Sequence, residues 1–204
     1  MDAVYFDLDG TLVEFDRSFV AIVEDAAVRL DAELPEGSVE TFGRALGEHL
    51  ESAENPYATA AAVADLPVDP EAFATAMQDV ELAATVPVAG ARDAVAALAD
   101  DYRLGVLTNG HGPMQRAKVD AGGFGDVFEA VVVSGDVGVG KPDPEIFAAA
   151  ERQLPADDHV FVADALDRDV RAAEAAGWRG VYYGSEVPAD VTRVGSLSVL
   201  PELL

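Results

Sequence analysis

From residue 87 onward the chain alternates short apolar runs with segments of helical periodicity, and this alternation constrains its fold more than any other feature. The runs Leu104–Leu107, Ala130–Val133, Val160–Val162 and Val181–Tyr183 contain no charged residue. Each follows a helical segment, in turn Ala91–Leu98, Met114–Val119, Pro144–Leu154 and Val170–Ala176, the last closed by Gly177 as a C-terminal cap. Strands without polar alternation need cover on both faces, which a parallel sheet flanked by helices provides. The expected fold class is therefore α/β, a doubly wound parallel sheet. A further apolar run, Ala3–Phe6, ends in Asp7-Leu8-Asp9-Gly10-Thr11 and reads as a buried strand stopping at a turn. Polar residues follow several of these strands, at the edge where open α/β sheets place their sites.

Between the first strand and residue 87 the pattern is different. Phe19, Ile22, Val23, Ala26, Ala27 and Leu30 recur at helical spacing, as do Val39, Phe42, Leu46 and Leu50, and then Ala72, Phe73, Ala76, Met77 and Val80. Pro56, Pro67 and Pro70 punctuate the segment. It holds 16 acids from Glu14 to Val86 against three bases, Arg17, Arg29 and Arg44. The expected organisation is a core of residues 1–14 plus 87–204, with an all-helical acidic insert over 15–86.

Charge narrows the partners. The net charge is −25 over 204 residues, with half of them apolar, so the chain has a core and yet repels phosphate backbones and anionic lipid. Nucleic acid and membrane surfaces are thus not expected partners, and monomer and weak homodimer both stay open. The absence of cysteine excludes disulfides, thiolate metal sites and a cysteine nucleophile. Asp2 stands where a secretory leader would be basic, and no apolar run approaches a membrane span. A cytoplasmic protein is expected. Such an acidic surface suits a high-salt, halophilic cytoplasm, where screening removes self-repulsion. Only two of the 13 bases are lysines, Lys118 and Lys141.

The chemistry points to carboxylates. Asp7 and Asp9 sit two apart where the first strand ends; Asp164 ends a later strand and Asp169 opens its helix. Placed on adjacent strands they converge, and a hard cation such as Mg²⁺ would resolve their repulsion. Aspartate is more often a cap or turn former, a reading that fits Asp169 well. Four at strand ends, with a lysine and a hydroxyl in the same topology, exceed that expectation.

Asp7-Leu8-Asp9-Gly10-Thr11-Leu12, Thr108-Asn109, Lys141-Pro142-Asp143, and Asp164 with Asp169 resemble, in order, the four motifs of the haloacid dehalogenase-like hydrolase superfamily. The resemblance implies a Rossmann-like core and identifies the insert with the superfamily's small helical cap. It implies that Asp7 is the nucleophile that forms an aspartyl-phosphate, and that Asp9 is general acid and then general base. Thr108 and Asn109 would bind the transferring phosphoryl group, and Lys141 would stabilise it and Asp7. Mg²⁺ would be held by Asp7, the backbone carbonyl of Asp9 and Asp164, with Asp169 in an outer shell. Relatives commonly carry Gly-Asp-Ser or Gly-Asp-Thr in the fourth motif; here it is Ala163-Asp164-Ala165, without the hydroxyl beside the metal ligand.

Other signals are weaker. Gly135 to Lys141 nearly spells a P-loop, but Pro142 stands where a hydroxyl must hold Mg²⁺. Gly110-His111-Gly112 lacks the third glycine of a dinucleotide fingerprint. His111 reads equally as a substrate-facing group or a helix start. Arg17 is the insert base best placed to meet an anionic substrate, although pairing with neighbouring acids is the commoner fate. Phe15 and Phe19 read as core before pocket lining. The expected function is Mg²⁺-dependent hydrolysis of a small phosphorylated metabolite. The alternatives are 2-haloacid dehalogenation by the same Asp7, disfavoured because halide needs no proton from Asp9, and an idle binding module, disfavoured by the intact nucleophile.

Overall fold

The structure, a computed structural model, describes residues 1–51, 54–185 and 189–204; positions 52–53 of the expected helical insert lie outside the described residues. The chain divides into two compact units, Met1–Glu14 with Pro87–Leu204, and Phe15–Val86. It begins with β1 (Ala3–Phe6) and β2 (Val13–Phe15), then four helices, α1 (Phe19–Val28), α2 (Ser38–His49), α3 (Pro56–Val63) and α4 (Pro70–Ala84), and then β3 (Thr85–Pro87). The remainder runs α5 (Ala91–Leu98), β4 (Arg103–Thr108), α6 (Gly112–Ala121), β5 (Ala130–Val133), α7 (Ser134–Val137), α8 (Pro144–Gln153) and β6 (His159–Ala163). It closes with α9 (Arg171–Ala175), β7 (Arg179–Tyr183), β8 (Arg193–Val194) and α10 (Leu200–Leu203).

The expected parallel sheet is present. Its order is β5-β4-β1-β6-β7-β8, with every pair parallel. β1 is central: Phe6 is level with Val106 of β4 and Val162 of β6. Alternate residues of β1 enter opposite cores. Val4 and Phe6 pack with Leu104, Val106, Val162 and the α5 residues Ala94 and Leu98. Ala3 and Tyr5 pack with Val132, Phe161 and the α8 residues Ile146 and Phe147, so both faces are covered. The chain leaves β1 for β4 and β5 on one side and returns to β6 on the other, which makes the C-terminal end of β1 the switch point of the sheet.

Three details go beyond the pattern read in the sequence. β8, with two residues, and β2 and β3, with three each and paired to one another, are too short to register as apolar periods. The expected helix at Val170–Ala176 begins earlier, as a π turn over Leu166–Val170, and continues as α9. The expected Met114–Val119 helix is longer, because Pro113 fits the first turn of α6, where no amide donor is needed.

In the helical unit, Pro56 and Pro70 start helices rather than break them. Asn55 and Asp69 cap them by accepting from the amides of Ala58 and Ala72. Phe19 stacks on Phe42, and Phe42 meets Phe73 edge to face. Buried Glu81 accepts a 2.9 Å hydrogen bond from the Tyr57 hydroxyl.

Candidate active site

β1 and the turn behind it carry the first two acids. The Asp7 amide donates to Val162 O at 2.9 Å, extending the β1–β6 pairing by one residue. Leu8 O then accepts from the amides of Leu12 and Val13, closing a tight turn. Gly10 holds φ +85°, and a Cβ there would lie 2.3 Å from Asp164 Oδ2. Only glycine meets both demands. Thr11 Oγ1 donates to Asp164 Oδ1 at 3.3 Å, so the turn from β1 touches the end of β6 directly.

Asp7 is buried at 3% exposure, and Asp169, in the π turn, at 0%. Lys141, ahead of α8, joins them. Its Nζ donates to Asp7 Oδ1 at 2.8 Å and to Leu107 O at 3.1 Å, lies 3.1 Å from Asp169 Oδ1, and sits 4.9 Å from the Phe161 ring centroid. Arg168 forks onto both oxygens of Asp169 at 3.1 Å and approaches Asp7 Oδ2 at 3.8 Å. Burial pushes the Asp7 carboxyl up from 3.8 to about 6; Lys141 opposes this and Asp169 adds to it. Burial also raises the Asp164 carboxyl, with Asp169 adding, against Arg168 and the Thr11 hydrogen bond.

Carboxylate oxygens of Asp7, Asp164 and Asp169 all lie within 4.8 Å of one another. Three carboxylates face two bases, one of them half-exposed, and the donor set is all oxygen. That suits a hard divalent cation which keeps part of its water. Both Asp169 oxygens are already engaged by Lys141 and Arg168, which leaves Asp7 and Asp164 the freer donors.

Asp9 lies on the other side of the turn. Lys118 Nζ donates to its Oδ1 at 2.9 Å and Gln115 Nε2 to its Oδ2 at 2.7 Å. The same Gln115 nitrogen reaches Thr108 Oγ1 at 2.9 Å. Asn109 clamps the Lys141 backbone: its Nδ2 donates to Lys141 O at 2.9 Å, and its Oδ1 accepts from the Lys141 amide at 2.8 Å. The structure thus brings Asp7, Asp9, Thr108, Asn109, Lys141, Asp164 and Asp169 to one edge of the sheet. The Asn109 side chain holds Lys141 in place.

Sequence reasoning missed Gln115, Lys118 and Arg168. A signal existed for Lys118, since it is the only lysine besides Lys141 and stands one helical turn from Gln115. Both lysines are buried, at 3% and 4% exposure. Arg168 gave no such signal among many arginines. The near-P-loop is no phosphate cradle: Ser134–Val137 forms α7, Gly138 ends it, and Lys141 turns into the acid cluster. His111 stands at the N-cap position of α6 without a capping hydrogen bond. Arg17 pairs with Asp16 and Asp25, and Arg29 with Asp79.

Carboxylates and a buried lysine thus stand together at the switch point of a parallel α/β sheet. The family model described as haloacid dehalogenase-like hydrolase matches residues 1–177, and the chain belongs to that family. It is 29% identical over 228 residues to the glyceraldehyde 3-phosphate phosphatase of Methanothermobacter thermautotrophicus, covering the whole of both chains. It is 40% identical over 81 residues to the phosphoserine phosphatase of Thermus thermophilus, covering 39% of this chain and 32% of that one. Alignments with the first curated relatives span 60%, 32% and 42% of their lengths. Among solved structures, the 2-haloacid dehalogenase of Pseudomonas syringae is similar at TM-score 0.71 and 28% identity, over 100% of this chain and 97% of that one. The family is a hydrolase family, and the chain has phosphatases among its homologues. Among the described residues no helix is long and apolar enough to cross a membrane.

Proposed function

We propose that this hydrolase is a Mg²⁺-dependent phosphomonoesterase that acts on a small phosphorylated metabolite through an aspartyl-phosphate on Asp7. The observation that carries the reading is the pairing of two different carboxylates on one turn: Asp7 buried against Lys141 in the acid cluster, and Asp9 beside it in contact with side-chain donors. Cleavage of an alkyl phosphate ester needs both a nucleophile and a proton donor, whereas halide leaves without a proton.

Asp7 attacks phosphorus as the ester P–O bond breaks, and Asp9 gives its proton to the departing alkoxide. Asp9 then takes a proton from the water that attacks phosphorus, which frees Asp7 and inorganic phosphate. Lys141 offsets the charge on Asp7, and the Thr108 hydroxyl, which in this structure donates to Asn109 O at 3.3 Å, would turn to donate to a phosphoryl oxygen. Asp7, the Asp9 carbonyl and Asp164 would hold Mg²⁺, with Asp169 acting through Lys141 and Arg168. When bound, Mg²⁺ supplies positive charge between nucleophile and anionic substrate. The helical unit is read as the family's small cap, and the net charge of −25 as adaptation to a high-salt cytoplasm. An unfolding midpoint that rises with KCl supports the latter, and one that is insensitive to salt contradicts it.

The test is phosphate release from a panel of phosphomonoesters, with Mg²⁺ and with chelator, in concentrated KCl, alongside halide release from 2-haloacids. Chelator-sensitive phosphate release supports the reading. Halide release alone moves the protein to dehalogenation, the activity named for the Pseudomonas syringae neighbour.

A further inference from the structure

We infer that Gln115 and Lys118 are positioning residues for proton transfer, a two-point clamp on α6 that fixes the Asp9 carboxylate and ties it to Thr108. The inference rests on the reading of Asp9 as general acid.

The clamp is built from the fold. Gln115 and Lys118 are three apart on α6 (Gly112–Ala121) and so share a face. That face is buried, with the two side chains at 2% and 3–4% exposure. Each takes one oxygen of Asp9: Lys118 Nζ holds Oδ1 at 2.9 Å and Gln115 Nε2 holds Oδ2 at 2.7 Å. Asp9 itself is 41% exposed in its side chain, on a turn that would otherwise leave the carboxylate free to rotate. Gln115 packs closely over Gly110, where a Cβ would come within 2.6 Å of Gln115 Cδ. The remaining reach of Nε2, 2.9 Å to Thr108 Oγ1, links the acid to the hydroxyl assigned to the phosphoryl group. Proton transfer is effective only when the group lies within hydrogen-bond reach of the leaving oxygen. A clamp on both oxygens sets that direction in advance, and each clamped oxygen keeps a second lone pair, which carries the proton toward the leaving group.

A positioning role has a signature that a structural role lacks. An alkyl phosphate needs a proton on its leaving oxygen; p-nitrophenyl phosphate, whose leaving group is a stable anion, does not. The ratio kcat/KM reports the steps up to formation of the aspartyl-phosphate and so isolates the acid step from the shared hydrolysis. We expect Gln115→Leu and Lys118→Met each to lower kcat/KM for an alkyl phosphate about tenfold or more, and for p-nitrophenyl phosphate no more than about threefold. Lys118→Arg should restore most of the alkyl phosphate rate. Asp9→Asn, run in parallel, should show the same selectivity in larger measure. If Asp9→Asn is selective while folded Gln115→Leu and Lys118→Met slow both substrates alike, or neither, the clamp is overturned and Asp9 keeps its role. If Asp9→Asn itself lacks selectivity, the general-acid reading fails and the clamp fails with it. Each clamp variant carries the prediction separately, so the loss of one to misfolding leaves the other decisive.

Discussion

The turn after β1 separates two environments built from the same parts. On one side Asp7 meets Lys141, both almost fully buried, with Asp169 and Arg168 behind them. On the other side Asp9 meets Lys118, where the lysine is buried and the aspartate is 41% exposed. The chain has two lysines, and each is paired with one aspartate of this turn. The difference between the sides is burial. A group fixed in a dry, tightly paired cluster suits a nucleophile that must not move, while a half-exposed group suits one that exchanges protons with leaving group and water.

Substitution at the two lysines sharpens the contrast most. Lys141→Met should lower kcat/KM about 10²- to 10³-fold on every phosphomonoester. It should also lower the unfolding temperature by several degrees, since Asp7 and Asp169 lose their fully buried counter-ion. Loss of the Lys118–Asp9 pair in Lys118→Met should cost less in stability than loss of the Lys141 pairs, because Asp9 is 41% exposed and can turn to water. Equal losses from the two variants, in steady-state kinetics and thermal melts, would break the comparison.

The buried side has a pH signature. With the Asp7 carboxyl pushed up to about 6 from 3.8, the folded metal-free protein binds that proton more tightly than the unfolded chain does. Stability therefore falls as pH rises from about 4 to about 6 and carries the full cost above it. Asp7→Asn removes that cost, so chelator-treated Asp7→Asn should unfold at a higher temperature than wild type at pH 7 and show little advantage below pH 4. A variant less stable than wild type at pH 7 would contradict this.

A smaller effect is expected at Arg168, whose side chain is half exposed beside the cluster. Arg168→Ala removes a positive charge near the carboxylates, so a Mg²⁺ titration followed by thermal shift should saturate at a lower concentration, within about tenfold. Arg17→Ala should leave kcat/KM within about twofold, since Arg17 is occupied by Asp16 and Asp25 in an exposed pair. A large loss there would restore Arg17 as a substrate contact.

The sheet was legible because β1, β4, β5, β6 and β7 are apolar runs with polar ends, a pattern that survives without context. β8 was not, since two residues carry no period and their pairing with β7 defines them. Asp7, Asp9, Asp164, Lys141, Thr108 and Asn109 were legible through their places at strand ends and their motif spacing. Gln115 and Lys118 were not sought because they sit inside a helix, where a polar face reads as solvated, and only the fold turns that face onto Asp9. Asp169 was legible as an outer-shell group through its motif, with a cap as the commoner fate of an aspartate; its complete burial comes from a π turn that periodicity does not reveal.

The most direct test is to mix enzyme, Mg²⁺ and a good substrate, quench in acid within the first turnovers, and map the protein by mass spectrometry. A phosphoryl adduct on the peptide bearing Asp7, absent in Asp7→Asn and absent with chelator, is the predicted result. Turnover without an adduct at Asp7, or with one on another residue, would contradict the account.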